Sequence, residues 1–591
     1  MIIERSKHWR FLEHELKAET ENFEKTFEAK AIYLLQEKEE MFVAQFVTFR
    51  KGGDMVVRFP ISRNLPRKGE HLFCMLLPKQ LRDYRNWGNL TYADLFKERY
   101  KGTECVSVWQ SVTEDKKYSL VGFRNVELEF ARIIQDIPNL ILVFAPQRPP
   151  IDYIGNLQKV VEDSYSLAIS SILDYDYRLR KWSPKLIQQD NVSRFFISQL
   201  EVNNTLIIQG PPGTGKTHLI AELCSELCKR ECSVMVTALT NRALMEISEK
   251  TPVSGLLKKG KIFKSNITAD EIREVPQLQT LNQIVPIRGS LVLSSYYISS
   301  GFAAQSHEDH LFDYVIMDEA SQALVAMFAA AKKMGKYNIW VGDIKQLAPI
   351  VELKEERIKQ FDYSDLINGF EQMTKNVEYP IFQLTKSWRY AQRAANYTGL
   401  FYNNTLSAIE PNKKVYIPSF KRLVNKDGGP ALILTDMVKG DETPQFPIVL
   451  ATYLVRSILK DDSKKEIAIL THTKKTTNAL QKSINQIAGS YVNVIVDTIA
   501  RVQGLTTDVV ILVIPNVYLF LSLEPHLFNV ATSRSREHTI IIADKNVINY
   551  KEEMDQIVRS YIDKLYSEQC LYIPSSLKDK KQIEDVFSME D

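Results

Sequence analysis

The stretch TLIIQGPPGTGKTHLI, from Thr205 to Ile220, restricts the fold more than any other part of the chain. A short apolar run meets a loop of Gly, Pro and Thr, and a helical pattern follows. Such a strand–loop–helix unit belongs in a parallel sheet covered by helices. Gly210, Pro211, Pro212, Gly213, Thr214, Gly215, Lys216 and Thr217 fit the spacing G-x-x-x-x-G-K-[ST]. The glycines let backbone N–H groups turn inward around phosphate oxygens, and the helix adds the positive end of its dipole. Lys216 is placed to reach β- and γ-phosphates, Thr217 to offer its hydroxyl to Mg²⁺, and His218 to border the site on the helix. The expected ligands are ATP and Mg²⁺.

A second strand ends in acids. YVIMDEASQ, Tyr314 to Gln322, delivers Asp318 and Glu319 to a strand's C-terminal end, where α/β sites lie. Asp318 suits Mg²⁺ held through water, and Glu319 suits orienting and deprotonating an attacking water. Buried-type strands (TLIIQ, SVMVTA, DYVIMDE, NIWVGD) alternate with helical runs from about 184. A second set (ALILTD, EIAILTHT, VNVIVDTI, DVVILVIP, TIIIAD) follows from about 380. The expected fold is α/β, with two parallel-sheet domains in tandem at 184–380 and 381–547.

The first 183 residues read differently. Trp9, Leu12, Leu16, Phe23 and Phe27 fall near heptad spacing, so 1–30 reads as a helix. MFVAQFVTFR and MVVRFP alternate with period two around Lys51-Gly-Gly-Asp54, a hairpin signal. Residues 31–150 read as a small β-barrel with one excursion near 80–102. After Pro149-Pro150 a second helix, 151–183, should place Leu157, Val161, Tyr165, Ala168 and Ile172 on one face. The two helices form a stalk for the barrel. Residues 548–591 read as a charged helical tail.

At 591 residues the chain is too long for one core. A net charge of +3 neither requires nor excludes a nucleic-acid partner, because a local groove can be basic on a neutral protein. Six cysteines are no disulfide framework, so a reducing compartment is expected, cytoplasmic or, in a eukaryote, nuclear. No apolar run reaches the ~18 residues of a membrane helix.

QGPPGTGKT, DEASQ, VGDIKQLAP (Val341–Pro349), SWRY (Ser387–Tyr390), VQGLTTD (Val502–Asp508) and NVATSRSRE (Asn529–Glu537) stand in helicase-motif order. The set resembles a superfamily 1B helicase, of the branch that holds the nonsense-mediated-decay helicase, senataxin and the immunoglobulin-mu-binding helicase. The stalk and the barrel ahead of the phosphate loop also resemble that branch. The resemblance implies two RecA-like domains with ATP between them. It implies that Gln346 reports the γ-phosphate, that Arg389 and Arg534 reach the nucleotide from the second domain, and that Gly504 gives its N–H to the γ-phosphate side. Trp388 stands where the family usually has Tyr, and would stack on adenine. Gln188, or Gln189 beside it, would read the adenine edge.

A translocating ATPase needs a track. Thr240 and Asn241, Ser295 and Tyr296, Thr471 and Lys474, and Thr498 and Arg501 lie at or just after strand ends, with hydroxyls and cations for a backbone and aromatics for base faces. They suggest a groove for single-stranded DNA or RNA. Cys224, Cys228 and Cys232 read as helix packing, and His307–His310 as a solvated loop. No nuclease constellation stands out, so a nuclease or other protein partner would meet the barrel or the C-terminal tail. The resemblance implies 5′-to-3′ unwinding or remodelling; the alternative is a nucleic-acid-stimulated clamp or sensor subunit with little unwinding.

Overall fold

The computed structural model describes residues 5–50, 53–115, 117–149, 151–174, 183–188, 191–376, 378–412, 414–415, 417–487, 493–502, 504–577 and 580–588. The first helix, Arg5–Glu28, buries Phe11 and Leu12. Strands Phe42–Phe49, Met55–Pro60, Tyr118–Arg124, Lys101–Val112, His71–Leu76 and Ile141–Pro146 then close, in that order, into an antiparallel barrel. Alternate residues fill it: Phe42, Ala44, Phe46, Val57, Phe59, Val121, Phe123 and Phe144 are buried together. The hairpin signal gives the antiparallel pair Gln45/Arg58 to Phe49/Met55, with a register shift between Phe46 and Thr48. Gly122 makes a slot for Trp109, since a β-carbon there would lie 2.2 Å from the indole. The excursion carries the helix Tyr92–Glu98, started by a Thr91/Asp94 capping box. Tyr92 and Phe96 pack on Phe27 of the stalk.

The second stalk segment departs from the single helix expected from 151. It is two helices, Asp152–Glu162 and Leu167–Leu173. The Asp163 carboxylate accepts the N–H groups of Tyr165 and Ser166, and the Ser166 hydroxyl caps Ile169. These bonds turn the chain and leave Tyr165 94% exposed, off the packed face. Leu157, Val161 and Ile172 are buried with Phe11 and Leu12 against the first α/β domain.

Among the described residues the first parallel sheet has nine strands. Their order is Gln279–Leu281, Ile262–Ser265, Leu291–Ser295, Val234–Ala238, Phe312–Met317, Gly335–Gly342, Thr205–Gln209, Ile381–Leu384 and Lys185–Ile187. Cys224 and Cys228 lie in the apolar core of the helix that covers it. Ile381–Leu384 pairs with Thr205–Gln209, so this sheet continues past residue 380. The second sheet runs Val494–Thr498, Ile467–Thr471, Thr507–Ile514, Ser535–Asp544, Gly429–Thr435 and Cys570–Tyr572. Its last strand comes from the segment read as a tail. The helix Gln556–Glu568 also buries Val558, Tyr561, Ile562 and Leu565 in the second domain. Those apolar residues belong to the second core, whatever the segment's charge suggested. No helix among the described residues is long and apolar enough to cross a membrane.

Candidate nucleotide site at the seam and the strand-facing edge

The strand Thr205–Gln209 is fully buried and ends at the glycine loop. Gly213 and Gly215 both sit at φ +77°, the left-handed region that a side chain disfavours. Gly215 then heads the helix Lys216–Lys229. A β-carbon on Gly210 would lie 2.4 Å from the Lys216 side chain, whose Nζ donates to the Gly210 carbonyl at 2.6 Å. Burial lowers the Lys216 pKa, while Asp343 and Asp318 oppose that shift.

The strand Phe312–Met317 delivers the acids. Asp318 is buried, and its Oδ1 accepts the Glu319 N–H at 2.8 Å. Glu319 sits at φ +52°. Burial pushes the Asp318 carboxyl up to about 6. Burial, with Asp318 beside it, pushes Glu319 up to about 7. Glu319 Oε2 is buried with no hydrogen-bond partner. A glycine cradle beside a lysine, with an unsatisfied buried carboxylate facing it, fits a triphosphate and a divalent cation. Thr217 and Asp318 are the residues that would hold Mg²⁺.

The second half of the site crosses the seam. The Trp388 backbone N–H donates to the Gly213 carbonyl at 2.8 Å. A β-carbon on Gly213 would meet the Arg389 side chain at 2.6 Å. Arg389 donates to the Ser533 carbonyl at 2.6 Å and to Thr506 Oγ1 at 2.7 Å. Trp388 is 73% exposed beside Gly215, so it is no core residue. Arg534 is buried, and donates to the Val530 carbonyl at 2.9 Å and to Gln346 Oε1 at 3.1 Å. Burial, then neighbouring Arg389, lowers its pKa to about 10. Gln346 Nε2 donates to Asp343 Oδ2 at 2.8 Å. Lys216, Asp318, Glu319, Gln346, Arg389, Arg534 and Gly504 thus converge on one cleft. Gln188 is exposed just after the strand Lys185–Ile187, which stands two strands from Thr205–Gln209 in the same parallel sheet. Gln189 lies outside the described residues.

Sequence reasoning missed the polar network behind the cleft. Asp343 accepts from Gln209 Nε2 at 2.6 Å and from the Tyr402 hydroxyl at 2.7 Å. Asn529 Nδ2 donates to that hydroxyl at 2.9 Å and to the Lys345 carbonyl at 2.7 Å. Gln209 directly precedes the loop and Asn529 opens the arginine motif, so position hinted at both. Nothing in the sequence around Tyr402 did.

The expected strand contacts divide. Thr240 caps the helix Asn241–Glu249 through Ala243 N, and both Thr240 and Asn241 are exposed. Lys474 and Arg501 are exposed. Tyr296 is a correction: it is fully buried, and its hydroxyl donates to the Asp318 carbonyl at 2.7 Å. Thr471 is a second correction, fully buried at the end of a central strand. Ser295 and Thr498 are 7% and 8% exposed, so neither presents a free hydroxyl surface.

Residues 196–352 match the AAA domain family, and residues 450–543 match the viral superfamily 1 RNA helicase core domain. The chain is 22% identical to the DNA polymerase alpha-associated DNA helicase A of Schizosaccharomyces pombe, over 73% of this chain and 72% of that one. It is 27% identical to the DNA replication ATP-dependent helicase/nuclease DNA2 of Gallus gallus, over 51% of this chain and 30% of the relative. The DNA2 of Saccharomyces cerevisiae matches at 28% identity over 26% of this chain and 10% of its own length. The chain thus spans less than a third of these two DNA2 relatives. A phosphate loop in the first domain and a match to a superfamily 1 helicase core in the second make this chain similar to superfamily 1 helicases in both of its α/β domains.

Proposed function

We propose that the chain is an ATP-driven translocase on single-stranded DNA or RNA. It moves 5′ to 3′ in the manner of the superfamily 1B branch and displaces what is paired or bound ahead. The observation that carries this reading is the contact of Arg534, in the second domain, with Gln346, in the first. Hydrolysis that needs both is tied to closure of the seam. Lys216 and the loop N–H groups bind the phosphates. Glu319 holds the attacking water and takes its proton, a role its raised pKa suits. Arg389 and Arg534 stabilise charge on the transferring group. Mg²⁺, when bound at Thr217 and Asp318, neutralises phosphate charge. Trp388 provides the exposed face for a base.

The test is steady-state hydrolysis by the full chain with no polymer, with single-stranded DNA and with single-stranded RNA, using Lys216→Ala as the inactive control. Stimulation by either polymer is expected. Equal rates in all three conditions would overturn the reading. The barrel's contacts with the second domain, Arg67 with Asp497 and Glu40 with Lys474, favour a second reading, a clamp that grips without unwinding. Strand separation on a tailed duplex distinguishes the two.

A further inference from the structure

The chain's own barrel touches the edge of the second α/β domain on which the sequence places Lys474 and Arg501. Arg67, in the loop before the strand His71–Leu76, pairs with Asp497 at 3.6 Å, the two side chains 11% and 13% exposed. Asp497 directly precedes Thr498. On the neighbouring strand end, Lys474 Nζ lies 3.4 Å from Glu40 Oε1. One turn along the same helix, Asn478 Nδ2 donates to Glu39 Oε2. The strands Ile467–Thr471 and Val494–Thr498 pair with Thr471 opposite Thr498, so both contacts fall on one sheet edge. It is the edge that carries Lys474 and Arg501.

The acidic turn is firmly built. Lys38 N donates to the Tyr33 carbonyl at 3.0 Å, and Glu40 N and Met41 N to the Leu34 carbonyl at 2.9 and 3.2 Å. Met41 is buried beneath. Glu39 is held at φ +55°, a conformation a non-glycine residue keeps only where its surroundings impose it. The turn therefore presents two carboxylates in fixed places to an ammonium and an amide. Those donors would equally serve two phosphates of a strand. A cavity of about 1230 Å³ opens between barrel and second domain beside this contact. Arg58 and Arg63 line its barrel side, each over a tyrosine ring, and Lys475 and Lys482 line the other.

We propose that Glu39 and Glu40 are an internal competitor for the strand's phosphates. They occupy Asn478 and Lys474 and hold the barrel down until nucleic acid displaces them. This rests on reading the edge as a strand-binding surface. The two contacts differ in strength. The Lys474–Glu40 pair is partly exposed, 63% and 29%, and such pairs exchange readily in water. The Arg67–Asp497 pair is nearly enclosed and acts as the hinge side. Opening therefore begins at the acidic turn.

The test uses the full chain carrying Glu39→Gln and Glu40→Gln together. Its affinity for a fluorescein-labelled single-stranded DNA and RNA is measured at low and moderate salt. Affinity for at least one polymer should rise about three- to tenfold at low salt, with hydrolysis in the absence of polymer unchanged. Glu24→Gln with Glu28→Gln, two exposed carboxylates of the first helix outside the cavity, controls for general charge and should change affinity far less. A Glu39/Glu40 double variant that gains no more than this control overturns the competitor while leaving the strand-binding reading intact. Wild type and variant both failing to bind either polymer would remove that reading, and this inference with it.

Discussion

Gly504 stands against Glu319 across the seam: a β-carbon on Gly504 would lie 3.3 Å from Glu319 Oε1. The glycine is also held at φ +82°. Gly504→Ala therefore meets both backbone strain and a crowded carboxylate. Polymer-stimulated kcat should fall at least about tenfold while circular dichroism stays native, because one ångström of misplacement at reacting groups is enough to do so.

The acid pair sets a pH dependence. Glu319 rises from its usual 4.5 to about 7, chiefly through burial. Raised in the fold, it contributes stability present at low pH and lost as pH rises through about 7. Nucleotide-free Glu319→Gln should thus be more stable than wild type at pH 8, by roughly 2 kcal/mol in denaturant melts, with the gap shrinking toward pH 5. Its turnover should drop about 10²–10⁴-fold while nucleotide still binds. Wild-type turnover should fall as pH drops below about 7, since only the carboxylate accepts a proton. Near-normal hydrolysis by the variant would remove Glu319 as the base.

Arg534→Ala should lower kcat about 10³-fold and leave strand affinity nearly unchanged. Arg534→Lys should not restore the rate, because the guanidinium bonds Val530 and Gln346 with separate nitrogens and an ammonium cannot reproduce that fork. Loss of affinity with the rate intact would contradict its place at the nucleotide.

Tyr296→Phe separates a structural from a binding role. It removes the donor to the buried Asp318 carbonyl and should destabilise the chain by about 1–3 kcal/mol. Single-strand affinity should not change. A lowered affinity at native stability would return this tyrosine to the groove.

The cleft was legible in the sequence because each part is local: a glycine loop after a strand, acids after a strand, arginines in short motifs. Tyr296 misled because a strand-end aromatic reads alike whether it faces a groove or the domain core. Only the packing of the helix Tyr296–Gln305 against the stalk decides it. Tyr165 misled because helical spacing continued through a turn that the Asp163 carboxylate imposes. Tyr402 was invisible, since its partners Asp343 and Asn529 are far away in the chain. The segment after 547 looked like a charged tail because its apolar residues lie on one helix face and one short edge strand.

The stalk is fastened to the first α/β domain. Glu15 accepts the N–H groups of Glu352 and Leu353 at 2.6 and 3.0 Å, and Lys333 holds Asp163 at 2.7 Å. The barrel therefore rides with the first α/β domain, while its acidic turn touches the second. From Glu15 to Glu28 the helix runs on for roughly 20 Å at 1.5 Å per residue. A rotation of about 10° between the two lobes would carry the end of that arm through roughly 3.5 Å. Lys474 and Glu40 lie 3.4 Å apart, so even so small an angular change would part them.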